Sequence, residues 1–264
     1  MKITFSNPAQ PTKGIAVVFS AERGKWSDSA AKLDTKLKGA LKRAAKASRF
    51  EGKRGQTMTV LAPTGSNLER VLCVGVGKPG DMTFENMTEL GGKVFAALKG
   101  AGTAAAVCAD AFDKSSLKAA DVAAAISYGA LLRAYKFEKY KGKEKQSKDP
   151  VIGSMAVHCQ GAPAAKSRYA KLAKIADGVY FTRDLVSEPP NILYPAEFAK
   201  RLKRDLTKLG VKVTIMGEAQ MRKLGMGSLL SVGDGSARES QMVVMEYNGL
   251  PAAKKKGSAD FFHW

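Results

Sequence analysis

Two adjacent prolines, Pro189 and Pro190, constrain this chain more than any other feature. Each lacks an N–H, and the residue before a proline is pushed out of the helical region. The long helical pattern that carries Leu172, Ile175, Val179 and Leu185 must therefore stop there. Pro195 suits the first turn of a new helix, where its missing N–H would have no partner anyway. That helix, over Glu197 to Leu209, places Phe198, Leu202, Leu206 and Leu209 at helical steps and ends at Gly210. Beyond it the spacing predicts a strand at Val211 to Met216, a short helix at Glu218 to Leu224, a glycine-rich loop, and an apolar strand of the buried type at Gln241 to Tyr247. Helix and strand in alternation mark an α/β fold.

The front of the chain has the same character. Met1 to Phe5 and Gly14 to Ser20 are predicted strands, with Asn7-Pro8 and Pro11 in the turn. Ser27 or Asp28 is placed to cap one continuous helix, whose Leu33, Leu37, Leu41 and Ala44 form an apolar stripe. Thr57 to Ala62 and Arg70 to Val76 follow as strands, and Thr83 to Leu98 as a helix. Next come a strand at Thr103 to Ala109, a helix capped at Ser115 or Ser116 and running to about Tyr135, and a strand at Val151 to Cys159. Gly161-Ala-Pro163 marks a domain boundary. The expected domains are 1–162, then 163–248, then a basic irregular tail, 249–264.

Chemistry-bearing motifs are sparse. Gly75-Val-Gly-Lys-Pro-Gly80 matches the dinucleotide pattern G-x-G-x-x-G, but Pro79 sits inside it and the helix begins only near Thr83. No acidic residue stands about 20 residues on, since Asp110 lies too far along. A glycine turn that lets strand and helix pack closely is the better reading. His158, at a strand end, is read as a structural group. Cleavage of a peptide bond by two metals needs several carboxylates around ions about 3.5–4 Å apart. Asp234 stands alone, Glu246 has no partner, and Asp260 with His263 lacks a second pair. Neither H-E-x-x-H nor G-x-S-x-G occurs, and Ser231 and Ser236 have no histidine nearby. No catalytic or metal-ligating set can therefore be assigned from the residues.

The net charge of +19 favours polyanions or simply a lysine-rich solvated surface. The most suggestive basic segment interleaves Lys136, Lys139, Lys141, Lys143 and Lys145 with Phe137 and Tyr140. Lysines beside Tyr140 can track a phosphate backbone and stack on bases; they serve equally as a solvated loop anchored by two rings. Cys73, Cys108 and Cys159 are isolated in apolar segments, as expected of buried thiols in a reducing compartment. With no secretory leader and no apolar run approaching the roughly 18 residues of a membrane span, the expected location is cytoplasmic.

Several runs together resemble the leucyl aminopeptidases, the cytosolic two-metal aminopeptidase family. They are Arg183-Asp184-Leu185, Glu188-Pro189-Pro190-Asn191, Lys223-Leu-Gly-Met-Gly-Ser228 and Ser231-Val-Gly-Asp-Gly-Ser236, with a fainter echo at Gly129 to Lys141. The resemblance implies a macro-domain-like front domain with a mixed sheet between helices, followed by the start of a catalytic α/β domain. It also implies release of N-terminal amino acids from peptides by two divalent ions, manganese or zinc, in hexamers; some bacterial members bind DNA as well. In the family, a Gly-Lys-Gly…Phe-Asp-x-Gly-Gly segment and an Asn-Thr-Asp-Ala-Glu-Gly-Arg run supply the metal ligands. Neither occurs after Asn248. The expectation is a truncated or frameshifted member that binds no metal and is inactive alone.

Overall fold

The structure, a computed structural model, describes residues 1–142 and 150–249. The chain divides into two compact units, Met1–Thr182 and Arg183–Trp264.

The first unit is built on a seven-stranded mixed sheet. Its strands are β1 (Lys2–Ser6), β2 (Lys13–Ala21), β3 (Lys25–Trp26), β4 (Thr57–Leu61), β5 (Asn67–Gly77), β6 (Ala104–Cys108) and β7 (Ser154–His158). The order is β1-β7-β6-β2-β5-β4, with β3 paired to β2. β4 runs antiparallel to β5 and β3 antiparallel to β2, while the remaining pairs are parallel. β2 and β5 are nearly continuous apolar runs because both faces of the sheet are covered. Ile15, Val17, Phe19, Leu72 and Val74 face one core, and Ala16, Val18, Val71 and Cys73 face the other. Helices α3 (Phe84–Ala97) and α4 (Ala119–Arg133) fill the first core with Met87, Leu90, Val94, Val122 and Ile126. Helices α1 (Asp28–Lys36) and α2 (Ala40–Ser48) fill the second with Leu33 and Leu41, joined by Leu37 from the turn between them.

The single helix expected over Leu33 to Ala44 is two. Lys38 (φ 52°) and Gly39 (φ 79°) turn left-handed and break it. The new N-terminus is capped from the preceding helix, because the Asp34 carboxylate accepts from Leu41 N at 2.8 Å and Lys42 N at 3.2 Å. The apolar spacing persists across the break, so periodicity alone could not reveal it. Ser27 does cap α1, its hydroxyl accepting from Ala30 N. The cap expected at Ser115 or Ser116 lies instead at Lys118, whose backbone N–H donates to the Asp121 carboxylate. Ser115 Oγ accepts locally from Leu117 N and so ends a turn rather than starting a helix.

Helix α5 (Ala162–Ser187) ends just before the double proline. Within the first unit it places Tyr169, whose ring lies 5.3 Å from that of Phe5, and Tyr180, whose hydroxyl donates to Leu131 O.

The second unit holds α6 (Pro195–Leu206), β8 (Lys212–Gly217), α7 (Glu218–Lys223), α8 (Gly227–Ser231) and β9 (Gln241–Glu246). Pro195 occupies the first turn of α6. β8 and β9 form an antiparallel two-stranded sheet, Val213 opposite Met245 and Ile215 opposite Val243. One expectation fails here. Residues 227–231, read as glycine loop, form a short helix. β9, an apolar strand of the buried type, is half-buried over Gln241–Val244 and exposed at Met245 and Glu246. Its apolar residues find no second covering layer among the described residues.

Candidate functional site

The glycine motif after β5 serves packing. Gly75 N donates to Gln56 O at 2.8 Å, and a Cβ on Gly75 would run into the Lys53 carbonyl. The first glycine is therefore used for close approach by its own chain, leaving no backbone there for a pyrophosphate. A short 3₁₀ turn at Pro79–Asp81 then separates the motif from α3. Asp110 is committed elsewhere: it accepts from Ser29 N at 2.9 Å and Ser29 Oγ at 2.8 Å, serving the N-terminus of α1.

The histidine and the three cysteines of the first unit are structural. His158 Nδ1 lies 2.8 Å from Ser6 Oγ and ties β7 to β1. Its pKa is lowered, burial outweighing a hydrogen bond with the Asn7 backbone. Cys73 and Cys108 are fully buried, and burial pushes each thiol up to about 12. Cys159 is raised by the same cause.

The basic segment is partly assembled. The rings of Phe137 and Tyr140 lie 5.9 Å apart, and Lys139 Nζ sits 5.3 Å from the Tyr140 centroid. Lys141 Nζ lies 3.9 Å from the Glu138 carboxylate, which offsets part of its charge. Lys143 and Lys145 lie outside the described residues. Lys136 lines a cavity of about 240 Å³ at the C-terminal ends of α3 and α4. Lys99 and Arg133 join it there, beside Phe95, Tyr135 and Ile152. Among the described residues no carboxylate lines that cavity. Sequence reasoning missed Lys99 and Arg133. Both stand at the ends of helices, where a cation is expected simply to complement the helix dipole.

In the second unit the motif residues bind one another. Arg201 Nη1 donates to Glu188 Oε1 at 3.0 Å, and Arg201 Nε donates to Glu197 Oε1 at 2.8 Å. Glu188 is almost fully buried, its side chain 4% exposed. The double-proline turn is thereby locked to α6. The hydrogen bond from Arg201 holds the Glu197 carboxyl below the usual carboxylate range. Arg238 stacks over Tyr194 at 3.7 Å. Glu218 accepts from Ser240 N, and Glu246 pairs with Lys212 at 3.0 Å. Asp260 and His263 lie outside the described residues. No three His, Cys, Asp or Glu side chains among the described residues converge as metal donors. Glu188, Glu197, Glu218 and Glu246, engaged with arginine, lysine and backbone N–H groups, do not gather into a two-ion site.

Comparison with known proteins places this geometry. Residues 17–144 match the N-terminal domain of the cytosol aminopeptidase family, and residues 180–258 match its catalytic domain. A probable cytosol aminopeptidase of Rhodopseudomonas palustris is 40% identical over 260 residues, covering 98% of this chain and 51% of the relative. One from Caulobacter vibrioides is 40% identical, covering 94% and 50%. The chain thus spans about half the length of the curated relatives it matches. Among solved structures, a tomato leucine aminopeptidase mutant, K354E, superposes with a TM-score of 0.76 over 92% of this chain and 50% of its own, at 22% identity. The bottromycin maturation enzyme BotP, in complex with Mn, superposes with a TM-score of 0.68 over 90% and 46%, also at 22% identity. With both domain profiles matched in order and two-fifths of its residues shared with bacterial relatives, the chain belongs to the cytosol aminopeptidase family.

Proposed function

We propose that this chain is the forward part of a metal-dependent aminopeptidase that releases N-terminal amino acids from peptides, and that these 264 residues do not hydrolyse peptides by themselves. The supporting observation is the state of the carboxylates. Glu188, Glu197, Glu218 and Glu246 are each held by a cation or a backbone N–H, so none is left to gather a pair of ions. The proposed organisation is a front domain over 1–162, the opening of the catalytic domain over 163–248, and a tail over 249–264. In the complete enzyme two divalent ions, manganese or zinc, would complete the active site and six copies would assemble in the cytoplasm. The pure 264-residue protein should leave a leucine chromogenic substrate uncleaved with added manganese; turnover above the metal-only blank would refute the reading.

A second reading, binding of DNA, draws on Lys99, Arg133 and Lys136 around one carboxylate-free cavity, with Lys139 and Tyr140 on the adjoining segment. Phosphate contacts make affinity fall steeply with salt. Duplex binding that weakens at least about tenfold between 50 and 200 mM salt would support it; no binding at low salt would end it.

A further inference from the structure

We propose that the first unit holds a ligand site outside the carboxyl ends of β2, β5 and β6, and that this site takes a ribonucleoside monophosphate. The proposal goes beyond the peptidase reading and does not depend on it.

Topology is the first ground. β2 lies between β6 and β5 and runs parallel to both, so the three carboxyl ends open on the same side. From β2 the chain passes through α1, α2 and β4 to β5 on one flank; from β5 it crosses back through α3 to β6 on the other. The order of strands therefore reverses at β2. In an open α/β sheet the loops part at such a point and leave a crevice in which ligands bind. A cavity of about 580 Å³ occupies that place, bordered by the residues that follow each of the three strands. Its size falls within the roughly 300–1,000 Å³ of small-molecule sites.

The lining decides what fits. Each loop supplies one lysine: Lys25 after β2, Lys78 after β5 and Lys114 after β6. Among the described residues none of the three has an ion-pair partner, although Asp28 and Asp113 line the same cavity. Lys114 also holds a left-handed backbone (φ 69°), a strained state that a lysine rarely adopts and that gathers at functional sites. Trp26 packs against the core under α1 and α2, and Phe112 against the core under α3 and α4, so aromatic surface reaches the crevice from both faces of the sheet. Three cations against two carboxylates suit a ligand with one anionic group and several hydroxyls, rather than a polyanion. A phosphate on the lysines, ribose hydroxyls donating to the aspartates and a planar base on the rings satisfy all three sets. Gly75 keeps its packing role; the lysine side chains, not the glycine backbone, meet the phosphate.

The test is titration of the full 264-residue chain with adenosine 5′-monophosphate, followed by tryptophan fluorescence. Trp264→Phe is built in so that Trp26 is the one indole left. The expected result is saturable quenching with a Kd at or below about 1 mM. Lys78→Ala and Lys114→Ala, both at exposed positions, should each weaken binding at least about fivefold with circular dichroism unchanged. Lys46→Ala, on α2 and outside the cavity lining, should leave it unaltered. The 2′-deoxy nucleotide should bind at least about threefold less tightly, having lost a hydroxyl that a carboxylate can accept from. No saturable signal up to about 10 mM overturns the proposal. Inorganic phosphate that displaces the nucleotide at equal concentration also overturns it. So does equal weakening by Lys46→Ala, which would mark attraction to the overall charge of +19. Equal affinity for the 2′-deoxy form overturns the ribonucleotide assignment. No peptide turnover is measured, so failure here leaves the aminopeptidase reading where it stands.

Discussion

Gly129 of α4 rests directly on the carbonyl of Thr88 in α3, with no room for a side chain between them. The contact is reciprocated one turn away, where Gly91 of α3 rests on the carbonyl of Ile126. Two glycines thus let the helices that cover one face of the sheet approach backbone to backbone. Alanine at either position must push the helices apart. Gly129→Ala is expected to destabilise by at least about 1–3 kcal/mol, the usual cost of overpacking, with Gly91→Ala close behind. Urea unfolding followed by circular dichroism measures both.

Asp34→Ala removes the acceptor that caps α2 from inside α1. Leu41 N is then left buried without a partner. A loss of about 1–2 kcal/mol is expected, and Asp34→Asn should recover part of it, since an amide oxygen can still accept. Equilibrium unfolding of both variants against the parent checks the order.

Burial that raises the thiols of Cys73 and Cys108 to about 12 keeps them protonated and unreactive at neutral pH. In a timed reaction with a chromogenic disulfide reagent, native protein should show neither of these thiols nor the equally buried Cys159, and unfolding in guanidinium should release all three. Rapid labelling of any of them in the native state would contradict the packing.

Burial lowers the pKa of His158 below the ordinary imidazole value. Its unfolded form therefore binds a proton first as pH falls. Stability from this residue is complete above the ordinary histidine range and lost as pH drops through the lowered value. Melting temperature should fall between about pH 7 and about pH 5 more in the parent than in His158→Asn, which cannot titrate but can still meet Ser6. Identical slopes would show that the residue is not linked to folding.

Local chemistry accounts for what was legible in advance. Apolar runs set β2 and β5, and the double proline set the end of α5. The G-x-G-x-x-G run was read correctly as packing because Pro79 spoils the motif, and the carbonyl of Lys53 lies where a side chain would go. Tertiary choices were not legible. A left-handed pair, Lys38 and Gly39, splits a stripe whose periodicity runs on undisturbed. Asp34 and Asp110 act as caps across 7 and 81 residues of sequence, beyond any local pattern. Lys99 and Arg133 meet Lys136 only because α3 and α4 end at the same side of the sheet. β9 is an apolar run of the buried type, yet among the described residues its only strand partner is β8 and its far end is exposed.

The pairing of β1 with β7 has a consequence for synthesis. Ser6 and His158 are 152 residues apart, yet β1 has no other neighbour in the sheet. During translation the first strand emerges and must wait, unpaired, until the ribosome has made nearly the whole first unit. The edge is therefore sealed last, and the amino terminus is where a nascent chain stays open longest to proteases and chaperones.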